Sequence, residues 1–351
     1  MLRACVVLGA LLIVQVCIAA DVPPPTGDKI VAPDAKWERL YTRTAPIEGG
    51  LTEGPAVAPD GSIYFSDIPF GAYNGLIVRF DPKTKSTSIF SDDSGKSNGL
   101  IFDAAGFLLA AEGANGGGRR VSRWNTATKW KATIADSIGN KRFNAPNDIC
   151  VDRNGRIYFS DPKYLGAEPR ELDRMSVYFV EPSGTVREAT REVTKPNGLA
   201  ISPDGRTLYV ANHDNGSDDV TKPAPTTHGP MTIYAFTLAA DGAAIGPPRT
   251  VVDFGDKKGC DGMTIDSLGR LYLTVREPTR PGILVVDPKT GNEVAFIPTG
   301  PSGQTGDKPE GLPSNVEFGI GEEANVLYAT VDLSLQRITL KSKGFHHQYG
   351  R

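Results

Sequence analysis

Residues 53–67 read EGPAVAPDGSIYFSD, and this stretch sets the pattern from which the rest of the chain can be interpreted. A polar residue comes first, an apolar run follows, a turn with glycine interrupts it, and a second apolar run ends the stretch. Short runs of β-branched and aromatic residues on both sides of an Asp-Gly turn are typical of a β-hairpin. The stretch therefore predicts two antiparallel strands joined at Gly61.

The same pattern recurs along the whole chain. Four further copies keep the turn glycine eight residues after the leading polar residue: NGLIFDAAGFLLAAE from Asn98, NDICVDRNGRIYFSD from Asn147, NGLAISPDGRTLYVAN from Asn197 and DGMTIDSLGRLYLTV from Asp261. A degenerate sixth copy, NVEFGIGEEANVLYATV, begins at Asn315. Further strand-like runs such as SVYFVE and GILVVD lie between copies, so that each repeat holds two hairpins.

Successive copies start 45, 49, 50, 64 and 54 residues apart. Units of this length with four strands each are typical of propeller blades, and the long helical patterns of an α/β fold are absent from the sequence. The sequence thus predicts an all-β fold, a six-bladed β-propeller with four antiparallel strands per blade. The segment WERLYTR, residues 37–43, is expected to pair with the last blade and close the ring.

The two ends of the chain differ from the repeats. Residues 1–20 carry Arg3 ahead of an apolar run that ends in small residues, which predicts a signal peptide and hence an exported, periplasmic or extracellular protein. Residues 21–35 are Pro-rich and predict an extended, unpacked lead-in, residues 36–343 form the predicted propeller, and residues 344–351 form a tail. We expect a monomer that leaves the membrane once the signal is cleaved.

Composition narrows the class of partner. The 351-residue chain has a formal net charge of −3, which indicates neither a nucleic-acid-binding surface nor one for anionic membranes. Only Cys150 and Cys260 remain after the signal peptide, too few for a disulfide framework. Two buried free thiols are the favoured interpretation, and a single bridge between them is the alternative.

The leading residues of the repeats predict a cation site. The first strand of each propeller blade lines the central channel, where six side-chain oxygens would then converge: Glu53, Asn98, Asn147, Asn197, Asp261 and Asn315. The closing residues of the first four copies are expected to add a second ring beside them: Asp67, Glu112, Asp161 and Asn212. Acids gathered this closely repel one another unless a cation lies among them. Carboxylate and amide oxygens, without His or Cys at the ring, favour a hard divalent cation such as Ca²⁺ or Mg²⁺ over a zinc-preferring site. One Ca²⁺ is the predicted ion, with Mg²⁺ or Zn²⁺ as the alternatives.

With these motifs in view, the chain resembles the senescence marker protein / gluconolactonase / luciferin-regenerating enzyme family of six-bladed propellers. The resemblance runs from about Glu48 to Leu340 and is carried by EGP at Glu53, RFNAPND ending at Asp148, PNG at Asn197 and DGMTID at Asp261. It implies a metal-dependent hydrolase that opens a lactone ring, most often of a sugar lactone. It also implies a divalent cation held by four residues: Glu53, Asn147, Asn197 and Asp261.

Asp261 is the predicted catalytic carboxylate, either as general base or by direct attack. The predicted substrate-binding residues are Asn98, Glu112, Arg142 and Asn144, of which the last two are similar to the bacterial gluconolactonase pattern. The animal enzymes carry an arginine where this chain has Ala145. The four histidines, at 213, 228, 346 and 347, are expected at the surface without a role. A non-catalytic propeller with a structural cation that binds carbohydrate or protein, and a phosphotriesterase-like hydrolase, are the alternatives.

Overall fold

The computed structural model describes residues 21–44, 49–71 and 73–350, so the predicted signal peptide lies outside the described residues. Six antiparallel four-stranded sheets form a ring, which confirms the predicted six-bladed β-propeller. The helices of the described residues are two short 3₁₀ turns, Gly321–Glu323 and His347–Tyr349. Among these residues, no helix has the length and apolar character needed to cross a membrane.

The strands of the first three blades follow one another along the chain, after an initial strand that belongs to the last blade. That initial strand is β1 (Glu38–Thr42). Blade one holds β2 (Leu51–Val57), β3 (Ile63–Ile68), β4 (Leu76–Asp81) and β5 (Ser86–Ser91). Blade two holds β6 (Ser97–Phe102), β7 (Leu108–Glu112), β8 (Arg120–Trp124) and β9 (Lys131–Ala135). A small hairpin, β10 (Ser137–Ile138) and β11 (Lys141–Arg142), precedes blade three, which holds β12 (Ile149–Val151), β13 (Ile157–Ser160), β14 (Val177–Val180) and β15 (Val186–Thr190).

The remaining blades complete the ring. Blade four holds β16 (Pro196–Ile201), β17 (Thr207–His213), β18 (Met231–Leu238) and β19 (Ala244–Asp253). Blade five holds β20 (Cys260–Ile265), β21 (Leu271–Val275), β22 (Gly282–Val286) and β23 (Glu293–Pro298). Blade six holds β24 (Pro313–Phe318), β25 (Val326–Val331) and β26 (Ser334–Thr339), with β1 as its fourth strand, antiparallel to β26. The predicted closure of the ring by residues 37–43 is therefore confirmed.

The repeated hairpin has the turn that its sequence predicts. At Gly61 the φ angle is 88°, a left-handed conformation that glycine adopts without steric cost. The Gly61 amide donates to the Ala58 carbonyl at 2.9 Å, and the Ala58 amide donates to the Ser62 carbonyl at 2.8 Å. The equivalent glycines of the next four copies also have positive φ angles: Gly106, Gly155, Gly205 and Gly269.

Glycines bring the inner strands of neighbouring blades into close contact. A Cβ atom on Gly54, which follows Glu53, would lie 2.2 Å from the Asn98 carbonyl oxygen of the next blade. A Cβ atom on Gly198 would likewise lie 2.4 Å from the Asp261 carbonyl oxygen. Only a residue without a side chain fits such an approach. This contact holds the leading residues of adjacent repeats close to the axis.

The core lies between adjacent sheets. Between blades one and two, Tyr64 packs edge to face against Phe90 and Phe102, with ring centroids 5.3 Å apart in both pairs. Cys150 on β12 and Cys260 on β20 are free and buried, as predicted. Burial raises the pKa of both thiols well above the ordinary value, so they contribute to packing as neutral side chains.

Both ends of the described chain are packed, contrary to the sequence-based expectation. In the lead-in, Ile30 and Val31 are buried against blades five and six. In the tail, His346 is buried, and a ring nitrogen of His347 lies 3.0 Å from the Ser202 carbonyl oxygen. The expected surface position of His346 is wrong because residues 345–348 pack beside the inner strands of the blades, with which they line a small cavity.

Glu317, on β24, lies in this buried region, and burial raises the pKa of its carboxyl from 4.5 to about 7. At pH values between 4.5 and about 7, the Glu317 carboxyl binds more protons in the folded protein than in the unfolded chain. The group therefore lowers the stability of the fold progressively as the pH rises through this range. We expect Glu317→Gln to raise the free energy of unfolding at pH 8 by about 3–4 kcal/mol, since each pKa unit between 4.5 and 7 corresponds to about 1.4 kcal/mol. At pH 4 the variant and the wild type should be equally stable. Urea unfolding at the two pH values measures this, and equal stability at pH 8 would contradict it.

Candidate functional site

One end of the central channel opens into a cavity of about 410 Å³. The leading residues of five repeats line it: Glu53, Asn98, Asn147, Asn197 and Asp261. Four of them are held within inner strands, on β2, β6, β16 and β20, and Asn147 precedes β12 by two residues. The structure thus brings the four predicted cation ligands, and Asn98, to a single cavity.

The sixth leading residue, Asn315, does not line this cavity. It lies deeper in the channel, where its Nδ2 donates to Asp148 Oδ1 at 3.3 Å. Asp148 stands where four other copies have glycine, and its Oδ2 accepts the Leu199 amide at 2.7 Å. Burial raises the pKa of Asp148 to about 7. This carboxyl joins blades three, four and six below the cavity.

Two carboxyl groups share the cavity with little to neutralise them. Burial and the negative charge of Asp261 hold the pKa of Glu53 well above its usual range. Arg276 is the cation closest to Asp261, with its Nε 3.5 Å from Asp261 Oδ2. No described residue forms an ion pair with Glu53. The buried Glu53 and the half-buried Asp261, with Arg276 beside only one of them, form an environment that a bound cation would stabilise.

The amides complete a set of oxygen donors. Asn197 Nδ2 donates to the Tyr164 hydroxyl at 3.2 Å, which leaves the other branch of the amide, Oδ1, for a ligand. The Asn147 side chain makes no hydrogen bond to another described residue. Within the described ranges no group of three or more His, Cys, Asp and Glu side chains could hold a metal. Two carboxylates and two amides nevertheless fit the oxygen-rich preference of Ca²⁺.

The predicted second ring of carboxylates is wrong. Residues directly opposite each other in antiparallel strands point to the same face of the sheet, and successive residues alternate. Asp67 is paired with Thr52, not with Glu53, so it points away from the channel. Glu112 and Asn212 are likewise paired with the neighbours of the leading residues, Ser97 and Pro196. A shift of one residue along the second strand moves each of these side chains to the opposite face.

These polar groups have structural partners instead. Asp67 forms a buried ion pair with Arg43, which ties the end of β1 to blade one. Asp161 accepts the backbone amides of Asn144 and Ala145, both at 2.8 Å. Asn212 Oδ1 accepts the amides of two residues that precede β16, Thr194 and Lys195. Each therefore organises a loop at the start of a blade.

Of the four residues predicted to bind substrate, Asn98 lines the cavity and three do not. Glu112 is fully buried between Arg120 at 2.8 Å and Lys131 at 2.7 Å. Arg142 is exposed and donates to the Gly118 carbonyl at 2.7 Å. Asn144 is buried and donates to two backbone carbonyls, of Asp161 and Arg174. The substrate-binding role of Asn98 remains a prediction, and the other three side chains are engaged outside the cavity.

In four of the hairpins, the residue that faces the cavity lies on the second strand or directly after it, one position after the last residue of the copy. These residues are Ile68, Gly113, His213 and Arg276. Ile68 is paired with Leu51, which lies two residues before Glu53 and so shares its face. Successive strand residues point to opposite faces, and this alternation could have identified the set. The prediction instead took the last residue of each copy, which is one position too early.

His213 lines the cavity, although the sequence predicted a surface position without a role for it. Its Nδ1 lies 3.0 Å from the Cys260 carbonyl oxygen, which can only accept, so Nδ1 carries the proton. Its ring contacts Tyr164 edge to face. Burial lowers the pKa of His213, which favours the neutral imidazole. The cavity thus contains a neutral histidine beside Asp261 and not the surface histidine that was expected.

The SMP-30/Gluconolactonase/LRE-like region matches residues 51–331 of this chain, which hold the whole of blades one to five and two of the four strands of blade six. The chain belongs to this family. Its membership agrees with the motifs that lead the repeats, because Glu53, Asn147, Asn197 and Asp261 all fall within the matched region.

Three known proteins are similar to this chain over most of their length. A gluconolactonase of Zymomonas mobilis is 26% identical over 352 residues, which cover 92% of this chain and 83% of its own. The structure of a gluconolactonase from Xanthomonas campestris superposes with a TM-score of 0.71 at 27% identity, covering 92% of this chain and 96% of that one. A calcium-binding regucalcin from Agrobacterium tumefaciens, 18% identical with a TM-score of 0.66 over 89% of this chain and 96% of its own, shares the fold.

Proposed function

We propose that this protein is a divalent-cation-dependent hydrolase that opens lactone rings, sugar lactones among them. The observation that carries the proposal is the cavity at the channel axis, where Glu53 and Asp261 lie together with unpaired amide oxygens. Relatives named gluconolactonase, similar over most of both chains, support a lactonase. Ca²⁺ is the proposed cation, held by Glu53, Asn147, Asn197 and Asp261, because its preferred ligands are oxygens of this kind.

The chemistry follows from the positions of these groups. A bound divalent cation would polarise the lactone carbonyl and stabilise the negative charge that develops on its oxygen. The Asp261 carboxylate has two oxygens, so one can serve as a ligand while the other accepts a proton from the attacking water. That proton is then available to the ring oxygen as its bond to the carbonyl carbon breaks. The Arg276 Nε lies 3.5 Å from Asp261 Oδ2, so a positive charge faces this carboxyl group in the cavity.

We also propose that the protein acts outside the cytoplasm on a small-molecule lactone, as a monomer. The support for export is the sequence of residues 1–20, with Arg3 and the apolar run that follows.

A substrate panel tests the proposed reaction. Purified protein with added Ca²⁺ is assayed against sugar lactones, aryl lactones and phosphotriesters, with hydrolysis followed by acid release. We expect turnover of at least one lactone class well above the buffer rate. Hydrolysis of phosphotriesters alone would favour the phosphotriesterase-like alternative, and no hydrolysis of any compound would favour a non-catalytic propeller with a structural cation.

A further inference from the structure

The cavity has an apolar patch on its wall, beside the polar groups at the channel axis. Five aliphatic or aromatic side chains line it: Leu51, Ile68, Phe70, Leu165 and Val220. Phe70 is 37% exposed and Val220 is 43% exposed, although both are large apolar side chains. Exposed apolar surface beside a polar site is characteristic of ligand-binding clefts.

Two buried lysines hold the loops that carry this apolar wall. Lys96 lies two residues before Asn98, and its Nζ donates to the Gly71 carbonyl at 2.6 Å. Lys195 occupies the same position two residues before Asn197, and its Nζ donates to Asn215 Oδ1 at 2.6 Å. Both lysines are buried, with exposed fractions of 4% and 2%. A buried ammonium needs such partners, so each lysine ties a mouth loop to its inner strand.

Backbone contacts fix the two exposed apolar residues further. The Val220 amide donates to the Tyr164 carbonyl at 2.8 Å. The Phe70 carbonyl accepts Asn115 Nδ2 at 2.7 Å. Hydrogen bonds therefore hold the backbone of both residues in place. Their side chains are exposed at the cavity because the fold fixes them there. An apolar surface held in this way lowers the entropic cost of binding an apolar group.

The cavity thus has two parts with different chemistry. The carboxylates and amides at the axis suit a reacting ester group, and the wall of Phe70 and Val220 suits hydrocarbon. A cavity of about 410 Å³ falls in the range of roughly 300–1,000 Å³ that holds drug-sized ligands. We infer that this site, beyond sugar lactones, takes lactones that carry an alkyl or aryl substituent, with the substituent against Phe70 and Val220. The inference rests on the proposed lactonase function.

A pair of lactones that differ only in the substituent tests the inference. The wild type is assayed with δ-valerolactone, which has no side chain, and with δ-decalactone, which carries a pentyl chain on the same ring. We expect kcat/KM to be at least about tenfold higher for δ-decalactone, because each methylene group buried adds to binding. In the double variant Phe70→Ala, Val220→Ala, we expect this ratio to fall below about threefold.

Ile89→Ala is the matched control. Ile89 lies on β5 of blade one, is 60% exposed and does not line the cavity, so its removal should leave the ratio at the wild-type value. A wild type that hydrolyses δ-gluconolactone but prefers neither δ-lactone would overturn the inference and leave the lactonase standing. A ratio that the double variant does not change would also overturn it. A wild type inactive on every lactone would overturn both proposals.

Discussion

Asp261→Asn is expected to abolish lactone hydrolysis while leaving a folded protein that still binds a divalent cation. Asn occupies the equivalent position in four other repeats, at 98, 147, 197 and 315, so the amide fits sterically. It retains an oxygen for ligation but cannot accept a proton from water. General-base groups contribute about 10²–10⁴-fold to rate, and we expect a fall in kcat of at least about 10²-fold.

The assay must separate chemistry from cation affinity, because loss of one negative charge also weakens the site. Activity is therefore measured at saturating Ca²⁺, with binding followed by calorimetry. Asn147→Ala is the control: it should act through affinity and recover part of its activity as Ca²⁺ is raised. If Asp261→Asn keeps near wild-type activity at saturating Ca²⁺, Asp261 is a ligand without a further role.

Removal of divalent cations is expected to have the second large effect. Treatment with EGTA should abolish hydrolysis and lower Tm by about 4 °C relative to protein at 100-fold excess of Ca²⁺ over its dissociation constant. At that excess a ligand stabilises the folded state by about 2.7 kcal/mol. Divided by the unfolding entropy expected for a chain of this length, this free energy corresponds to a change in Tm of about 4 °C. The physical cause is the pair of acids, Glu53 and Asp261, which loses its counter-charge.

Thermal denaturation of the chelated protein, with Ca²⁺ or Mg²⁺ added back, measures this effect. Ca²⁺ should restore both Tm and activity at lower concentration than Mg²⁺, because Mg²⁺ demands stricter geometry and gives up its water reluctantly. Glu53→Gln offers a matched comparison, since it removes one of the two acids and should shrink the Ca²⁺-dependent change in Tm. A chelated protein with unchanged Tm and full activity would contradict a cation at this site.

The fold could be predicted from the sequence because its determinants are local and repeated. Gly61 and its four equivalents set the hairpin turns, and each lies eight residues after a leading polar residue. Because the first strand of every blade starts near its leading residue, five of the six side chains that the sequence predicts to converge line one cavity, and Asn315 does not. The closure of the ring by residues 37–43 was also predicted, because this strand-like segment precedes the first repeat, and β1 does pair with β26 of the last blade.

Other features depend on contacts that sequence periodicity does not encode. Whether Asp67 or Ile68 faces the channel depends on the pairing of β2 with β3, and one residue of register decides it. The burial of Ile30 depends on blades five and six, which are far from it in the sequence. The burial of His346 depends on the packing of the C-terminal tail against the blades. Lys195 reaches Asn215 only because the loop after β17 folds back over its own blade. The local pattern thus determined the strands and the axial oxygens, whereas non-local packing alone decided which side chains form the wall of the cavity.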